Sequence, residues 1–253
     1  MQSATSDMPS ERSVRIGVAM STRAEGLVLA QSVHSVLSQQ GDFELSVHVR
    51  HHGGSREVRA LMVSVASQLR LRHWPIACRG VRFAFSLQSP RDDACAADSA
   101  LKALCAASPV DMLLWLPQAE ALLEGAVAAI ADVHRRVPAA DWVTGRCIDR
   151  ADTRATRLCS TDRFDVIEPA ALLTPLGERA LAALSASCTA FTPRLWDVTG
   201  PFTDRGAPNA PGAFWLRAAK HGFQLLDARL AISAAARAAP PPAAFGVCPA
   251  GMV

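Results

Sequence analysis

The chain has 253 residues, half of them hydrophobic, with 26 Lys and Arg against 23 Asp and Glu for a formal net charge of +3. That length can bury one sizeable core and suits one large α/β domain, while the small, scattered basic excess argues against a nucleic-acid groove. Seven cysteines, at positions 78, 95, 105, 147, 159, 188 and 248, form no C-x-x-C pair, so neither a zinc knuckle nor a disulfide framework is suggested and a reduced, cytoplasmic compartment is expected.

Residues 1–13 read as a polar leader with no apolar stretch, and no run approaches the ~18 apolar residues of a membrane span, so no transmembrane segment is expected. Residues 14–20 form a β-branched run that stops at Ser21-Thr22, as a buried strand entering a loop does. Residues 27–40 place Leu29, Val33, Val36 and Leu37 at helical spacing, with Gly41 as the C-cap. A second strand over 43–49 empties into a His51-His52-Gly53-Gly54-Ser55 loop, followed by a helix over 57–71. A strand over 81–87, a helix over 98–107 and an apolar strand over 112–116 continue the alternation. Strands alternating with helices predict a mostly parallel sheet with helices on both faces, whose ligand crevice lies at the carboxyl ends of the strands.

Residues 122–136 then read as an Ala-rich helix closed by Pro138, and 141–145 as a strand. Residues 174–187 look helical, 191–198 contain a short helical turn after Pro193, and 213–221 form a helix ending at Gly222. The last twenty residues, with Pro240-Pro241-Pro242 amid alanines, read as a flexible tail. One domain over 14–235 and a tail over 236–253 are therefore expected.

Several blocks, in order, resemble the family-two glycosyltransferases of the GT-A fold. Val18 to Glu25 is similar to that family's strand followed by Pro-Thr-Tyr-Asn-Glu, keeping Thr22 and Glu25, and Ser32 to Gln39 is similar to its Ser-Val-Leu-x-Gln helix. Phe43 to Ser55 resembles Phe-Glu-Leu-x-Val-x-Asp-Gly-Gly-Ser, with His52 in place of the aspartate that would read the uracil edge. Residues 98–104 resemble Asp-Ala-x-Asn-Lys-Gly-Leu, which places Lys102. Leu113-Leu114-Trp115-Leu116 ends where the family carries Asp-x-Asp-Asp, and Pro117, Gln118, Ala119 and Glu120 stand there instead. Phe191 to Phe202 resembles the acceptor-side block Phe-Arg-Arg-x-Leu-Trp-x-x-x-Gly-Gly-Phe and is the most specific match. Residues 213–219 resemble Asp-Leu-Trp-Leu-Arg-x-Ala, with Ala213 at the position of the usual general base.

The resemblance implies a transferase that moves a sugar from a nucleotide-sugar donor, UDP-type favoured, to a glycan or lipid-linked acceptor in bacterial polysaccharide or glycoconjugate assembly. It implies donor contacts from Thr22, Glu25, His52, Lys102 and Gln118, acceptor-side contacts from Trp196 and Arg217, and Mn²⁺ or Mg²⁺ against the leaving diphosphate. Glu120 is the one acid left for that metal, and Asp204, with Asp197 near it in sequence, is the acid available as base toward an acceptor hydroxyl. Arg194, Arg205, Arg217 and Lys220 could neutralise a diphosphate without metal.

Each residue also has a plainer reading. Glu120 would favour a helix dipole, His51 and His52 would be solvated loop residues, and Trp115, Trp196 and Trp215 would pack in the core. With both metal and base motifs thinned, the alternative is a catalytically inactive relative that binds a nucleotide, a glycan or a partner glycosyltransferase, in the cytoplasm or peripherally at the inner membrane. Dehydrogenase, P-loop and α/β-hydrolase readings lack their motifs.

Overall fold

The first apolar run folds as β1 (Val14–Thr22), and the chain then alternates through α1 (Gly26–Leu37), β2 (Gln40–His52), α2 (Arg56–Arg70), β3 (Ala77–Gln88), α3 (Ala96–Ala107) and β4 (Met112–Leu116). The structure is a computed structural model that describes residues 13–88, 96–117, 120–149, 164–202 and 210–235. Beyond β4 come β5 (Glu120–Leu122), α4 (Ala126–Arg136), β6 (Trp142–Asp149), β7 (Asp165–Ile167), α5 (Pro169–Leu172) and α6 (Pro175–Ala183). A 3-10 turn (Ala186–Cys188), β8 (Thr189–Phe191), α7 (Pro193–Thr199), α8 (Ala210–Lys220) and β9 (Leu225–Ala235) complete the order.

All nine strands join one sheet in the order β3-β2-β1-β4-β8-β6-β9-β5, with β7 on β9. The pairings make β1, β2, β3, β4, β6 and β9 run one way and only the short β5, β7 and β8 the other. The sheet is therefore mostly parallel, as the alternation predicts, and its carboxyl edge carries the exits of β1, β2 and β4.

Strand periodicity divides the core between the two faces. Ile16, Val18 and Met20 point with Leu45, Val47 and Val49 toward Leu29, Val33 and Val36 of α1 and Val127 and Ile130 of α4. On the other face Ala19 and Leu113 meet Leu101 and Leu104 of α3, Leu195 of α7, and Phe214 and Trp215 of α8. Gly17 belongs to that second face. A Cβ there would stand 2.8 Å from Leu104 Cδ2 and 2.9 Å from Val110 Cγ1, so the missing side chain is what lets α3 lie close on β1. Gly17→Val is expected to destabilise the fold by about 1–3 kcal/mol through overpacking. A lower urea midpoint would show it, and Gly17→Ala should cost less because the neighbours are flexible side-chain ends.

Gln39 gives a physical reason for the glutamine in the resemblance. Its amide donates to Ser35 O at 2.9 Å and Leu123 O at 2.8 Å, and its Oε1 accepts from Val127 N at 3.1 Å. The N-cap of α4 is Gly125, which offers no side chain; Gln39 satisfies a first-turn N–H in its place.

Several expectations are corrected. Gly41 is no helix cap: α1 stops at Leu37, and Gly41, with φ +141°, lies inside β2 next to a register shift. His51 and His52 close β2 rather than forming a loop, because the register continues to Thr22↔His51 and His52↔Gln88. The helix over 122–136 is shorter than its Ala-rich composition suggests, since residues 120–122 pair antiparallel with β9 and Gly125 takes φ +77° before the helix begins. Residues 174–187 hold α6 and the separate 3-10 turn, broken at Leu184 in extended conformation. β7 and β9 have no counterpart in the sequence reading. The tail over 236–253 lies outside the described residues.

Candidate functional site

At the carboxyl edge the ends of β1 and β2 are fastened to each other. Ser21 Oγ lies 3.1 Å from His52 Nε2, and both side chains are buried. Thr22 Oγ1 accepts from Ala24 N at 2.8 Å, tightening the turn out of β1. His51, 1% exposed, joins the two exits. Its Nδ1 accepts from Gly54 N at 3.0 Å, so the ring proton sits on Nε2 and is donated to Ala24 O at 3.1 Å. Gly53 and Gly54, at φ +133° and +64°, make the turn that brings the Gly54 N–H back onto that ring. The expectation of solvated histidines is overturned: the strand register carries both rings inside.

Thr22 and His52 are the last residues of β1 and β2, with exposed Arg23 and Glu25 on the connection out of β1. Glu25 is the N-cap residue of α1 and makes no side-chain capping bond. Lys102 lies on α3, four residues beyond buried Asp98, and faces α7 across a cavity of about 400 Å³ lined by Lys102, Cys105, Trp196, Asp197, Gly200 and Pro201. That cavity unites one expected donor contact with one expected acceptor contact. Burial, with the Asp197 charge, pushes the Cys105 thiol up to about 11.

Arg217 is committed to the backbone. Its Nε donates to Thr199 O at 3.1 Å and its Nη2 to Pro201 O. From the other side Asp98 Oδ1 accepts from Phe202 N at 2.8 Å. Asp98 and Arg217 therefore hold the turn between α7 and the segment leading to α8. In the sequence Asp98 is only a motif letter, and nothing local to it signals a bond spanning 104 positions.

Glu120 sits on β5, five residues before the N-cap of α4, so the helix-dipole reading does not hold. Its Oε2 accepts from Ser233 Oγ at 3.2 Å. Ser233, having spent its proton there, accepts in turn from Ser187 Oγ at 3.0 Å. Among the described residues no group of three or more His, Cys, Asp or Glu side chains is placed to hold a metal ion. A single carboxylate does not make a resident site for Mn²⁺ or Mg²⁺. Ala213, at the expected base position, is half-buried on α8. Asp204 and Gln118, with Arg205, lie outside the described residues.

Two histidines away from this edge respond to pH. His48, beside a cavity of about 210 Å³ under α3, and His134 on α4 are both held below the ordinary histidine value by burial. Arg50 lowers His48 further, whereas Asp111 and Asp141 partly oppose the shift at His134. The unfolded chain takes up these protons first, near pH ~6.5, so this share of stability is complete above that pH and is lost as pH falls through the folded values. Urea midpoints should drop from pH 7.5 to about 5, and His48→Gln should flatten the slope.

No protein-family model and no curated protein sequence matches the chain. Solved structures do. TarS of S. aureus superposes with TM-score 0.60 at 9% identity over 89% of this chain and 37% of that one. TarS residues 1–349 in complex with UDP gives 0.59 at 11% identity over 88% and 60%. A mannosyltransferase, PcManGT of Pyrobaculum calidifontis, in complex with GDP-Man and Mn²⁺, gives 0.58 at 14% over 89% and 58%. The chain spans between about a third and two thirds of the length of these proteins. The fold is glycosyltransferase-like, of the GT-A kind; at these identities the likeness speaks to fold alone. No helix among the described residues is long and apolar enough to cross a membrane.

Proposed function

We propose that the chain binds a nucleotide-sugar, UDP-type favoured, at the carboxyl edge where β1 and β2 leave the sheet, and transfers the sugar to a glycan or lipid-linked acceptor. The observation that carries this reading is the fastening of the two strand exits through Ser21, His51 and His52 in a fold whose neighbours include complexes with UDP and GDP-Man. Preorganised exits at the carboxyl edge of a parallel sheet are where such a fold takes its ligand.

In this reading Thr22 and His52 border the base, while Arg23 offers a planar cation that can stack on it. The α3–α7 cavity, with Trp196 in its wall and Lys102 and Asp197 at its rim, suits the hydroxyls of an acceptor sugar. Transfer needs a proton acceptor near the attacking hydroxyl, and Asp204 is the proposed base because Ala213 cannot serve. The diphosphate charge falls to arginine and lysine side chains, with no step assigned to a metal.

A second reading is favoured by two observations: Ala213 stands where the resemblance expects the base, and the described residues offer no metal cluster. It is a nucleotide- or glycan-binding relative that has lost turnover and works through a partner transferase. Calorimetric titration with UDP, GDP, dTDP and CMP, each with and without Mn²⁺, followed by donor hydrolysis, separates the two. UDP binding with turnover supports the transferase, and UDP binding without turnover supports the silent relative. Absence of nucleotide binding would overturn the transferase and leave the second reading only as a glycan-binding relative.

A further inference from the structure

Cys147 on β6 and Cys188 in the 3-10 turn before β8 both meet Ser233 of β9, Cys147 across the strand pairing and Cys188 through its thiol. The backbone explains the meeting. Two register shifts between β6 and β9 set Cys147 opposite Ser233, and Ser233 Oγ lies 3.2 Å from Cys188 Sγ. The pair is asymmetric: Cys147 is exposed, whereas Cys188 is 1% exposed. Two cysteines on the same serine are neighbours, and a disulfide needs their sulfurs to close to about 2 Å. The other described cysteines stand elsewhere, Cys78 on β3 bonded to Gly80 O and Cys105 in the α3–α7 cavity.

We propose that Cys147 and Cys188 are an intramolecular disulfide site, closed by glutathione disulfide or hydrogen peroxide. With glutathione disulfide, the Cys147 thiolate attacks one sulfur and expels a glutathione thiolate, leaving a mixed disulfide. Cys188, as it loses its proton, attacks the Cys147 sulfur and expels the second glutathione. The two cysteines give up two electrons and two protons, and one glutathione disulfide becomes two glutathiones. With peroxide, Cys147 becomes a sulfenic acid with loss of one water, and attack by Cys188 releases the second. The adjacent Cys147 and burial push the Cys188 thiol up, so the second step is the slow one and quickens as pH rises.

The bridge acts on a neighbouring acid. Ser233 gives its proton to Glu120 and so accepts from the Cys188 S–H. Oxidation removes that S–H and ties the turn to β6, which reorganises the support under Glu120. The dithiol is the state that holds Glu120 as found here.

The test is non-reducing peptide mapping of the folded full chain after glutathione disulfide or peroxide, with remaining thiols alkylated in denaturant. The expected result is a dominant cross-linked peptide pair carrying Cys147 and Cys188, reversed by dithiothreitol and absent from both Cys147→Ser and Cys188→Ser. The exposed Cys147→Ser variant keeps the test valid should Cys188→Ser fold poorly. Cys147 recovered as a glutathione adduct or sulfinic acid while Cys188 is fully alkylated would overturn the proposal, as would a dominant bridge between any other pair.

Discussion

Trp215→Ala is expected to lower the unfolding free energy by about 3–5 kcal/mol, the range for deleting a large buried aromatic side chain. Trp215 has no exposed surface and meets Trp142 edge-on at 5.2 Å, Phe214 at 4.8 Å, Phe202 at 5.6 Å and Phe191 at 5.8 Å between centroids. These rings come from α8, β6, β8 and the turn after α7, so the cavity would open where four segments converge. Against a typical total of about 5–15 kcal/mol, that loss removes about a fifth of the stability or more. The buried Nε1 has no hydrogen-bond partner among the described residues. Trp215→Phe therefore leaves no group newly unsatisfied and should cost clearly less than Ala. Urea unfolding of both variants checks the order; equal losses would mean that polar bonding, rather than ring packing, holds α8 in place.

The parallel half of the sheet was legible because its information is local. From Val14 to Ala107 each of β1, β2 and β3 is followed by a helix, and the apolar spacing separates the two kinds of element. The second half is built from pairings that no window can see. β8 is three residues long and enters antiparallel between β4 and β6, and β9 returns from the end of the described chain to join β6, β5 and β7. The site divides the same way. Thr22 and His52 end β1 and β2, and strand ends are marked in the sequence. Burial of His51, the Asp98 to Phe202 bond and the commitment of Arg217 to two carbonyls depend on chain that is distant or folded back, so nothing beside these residues in the sequence announces them. Glu120 shows the limit most plainly: its serine partner lies 113 positions away on a strand that was not foreseen.

His51→Ala should separate the function of the strand exits from their folding. The substitution leaves Gly54 N–H and Ala24 C=O without the ring that joins them. Two backbone groups at a buried junction then lose partners, for an expected loss of about 1–3 kcal/mol in stability. Because β2 is held along its whole length by β1 and β3, the damage should be confined to the exits. Freed from the clamp, the turns at Ala24 and Gly54 must be ordered by the ligand, and that cost is subtracted from binding. UDP affinity is expected to fall roughly tenfold, equivalent to about 1.4 kcal/mol. His51→Gln, whose amide can supply either bond but not both in this geometry, should fall between. Calorimetry of UDP binding beside urea unfolding reads the two effects apart. Unchanged UDP affinity in a variant with lowered stability would show that the exits are a structural clasp only, and would move the nucleotide to another part of the carboxyl edge.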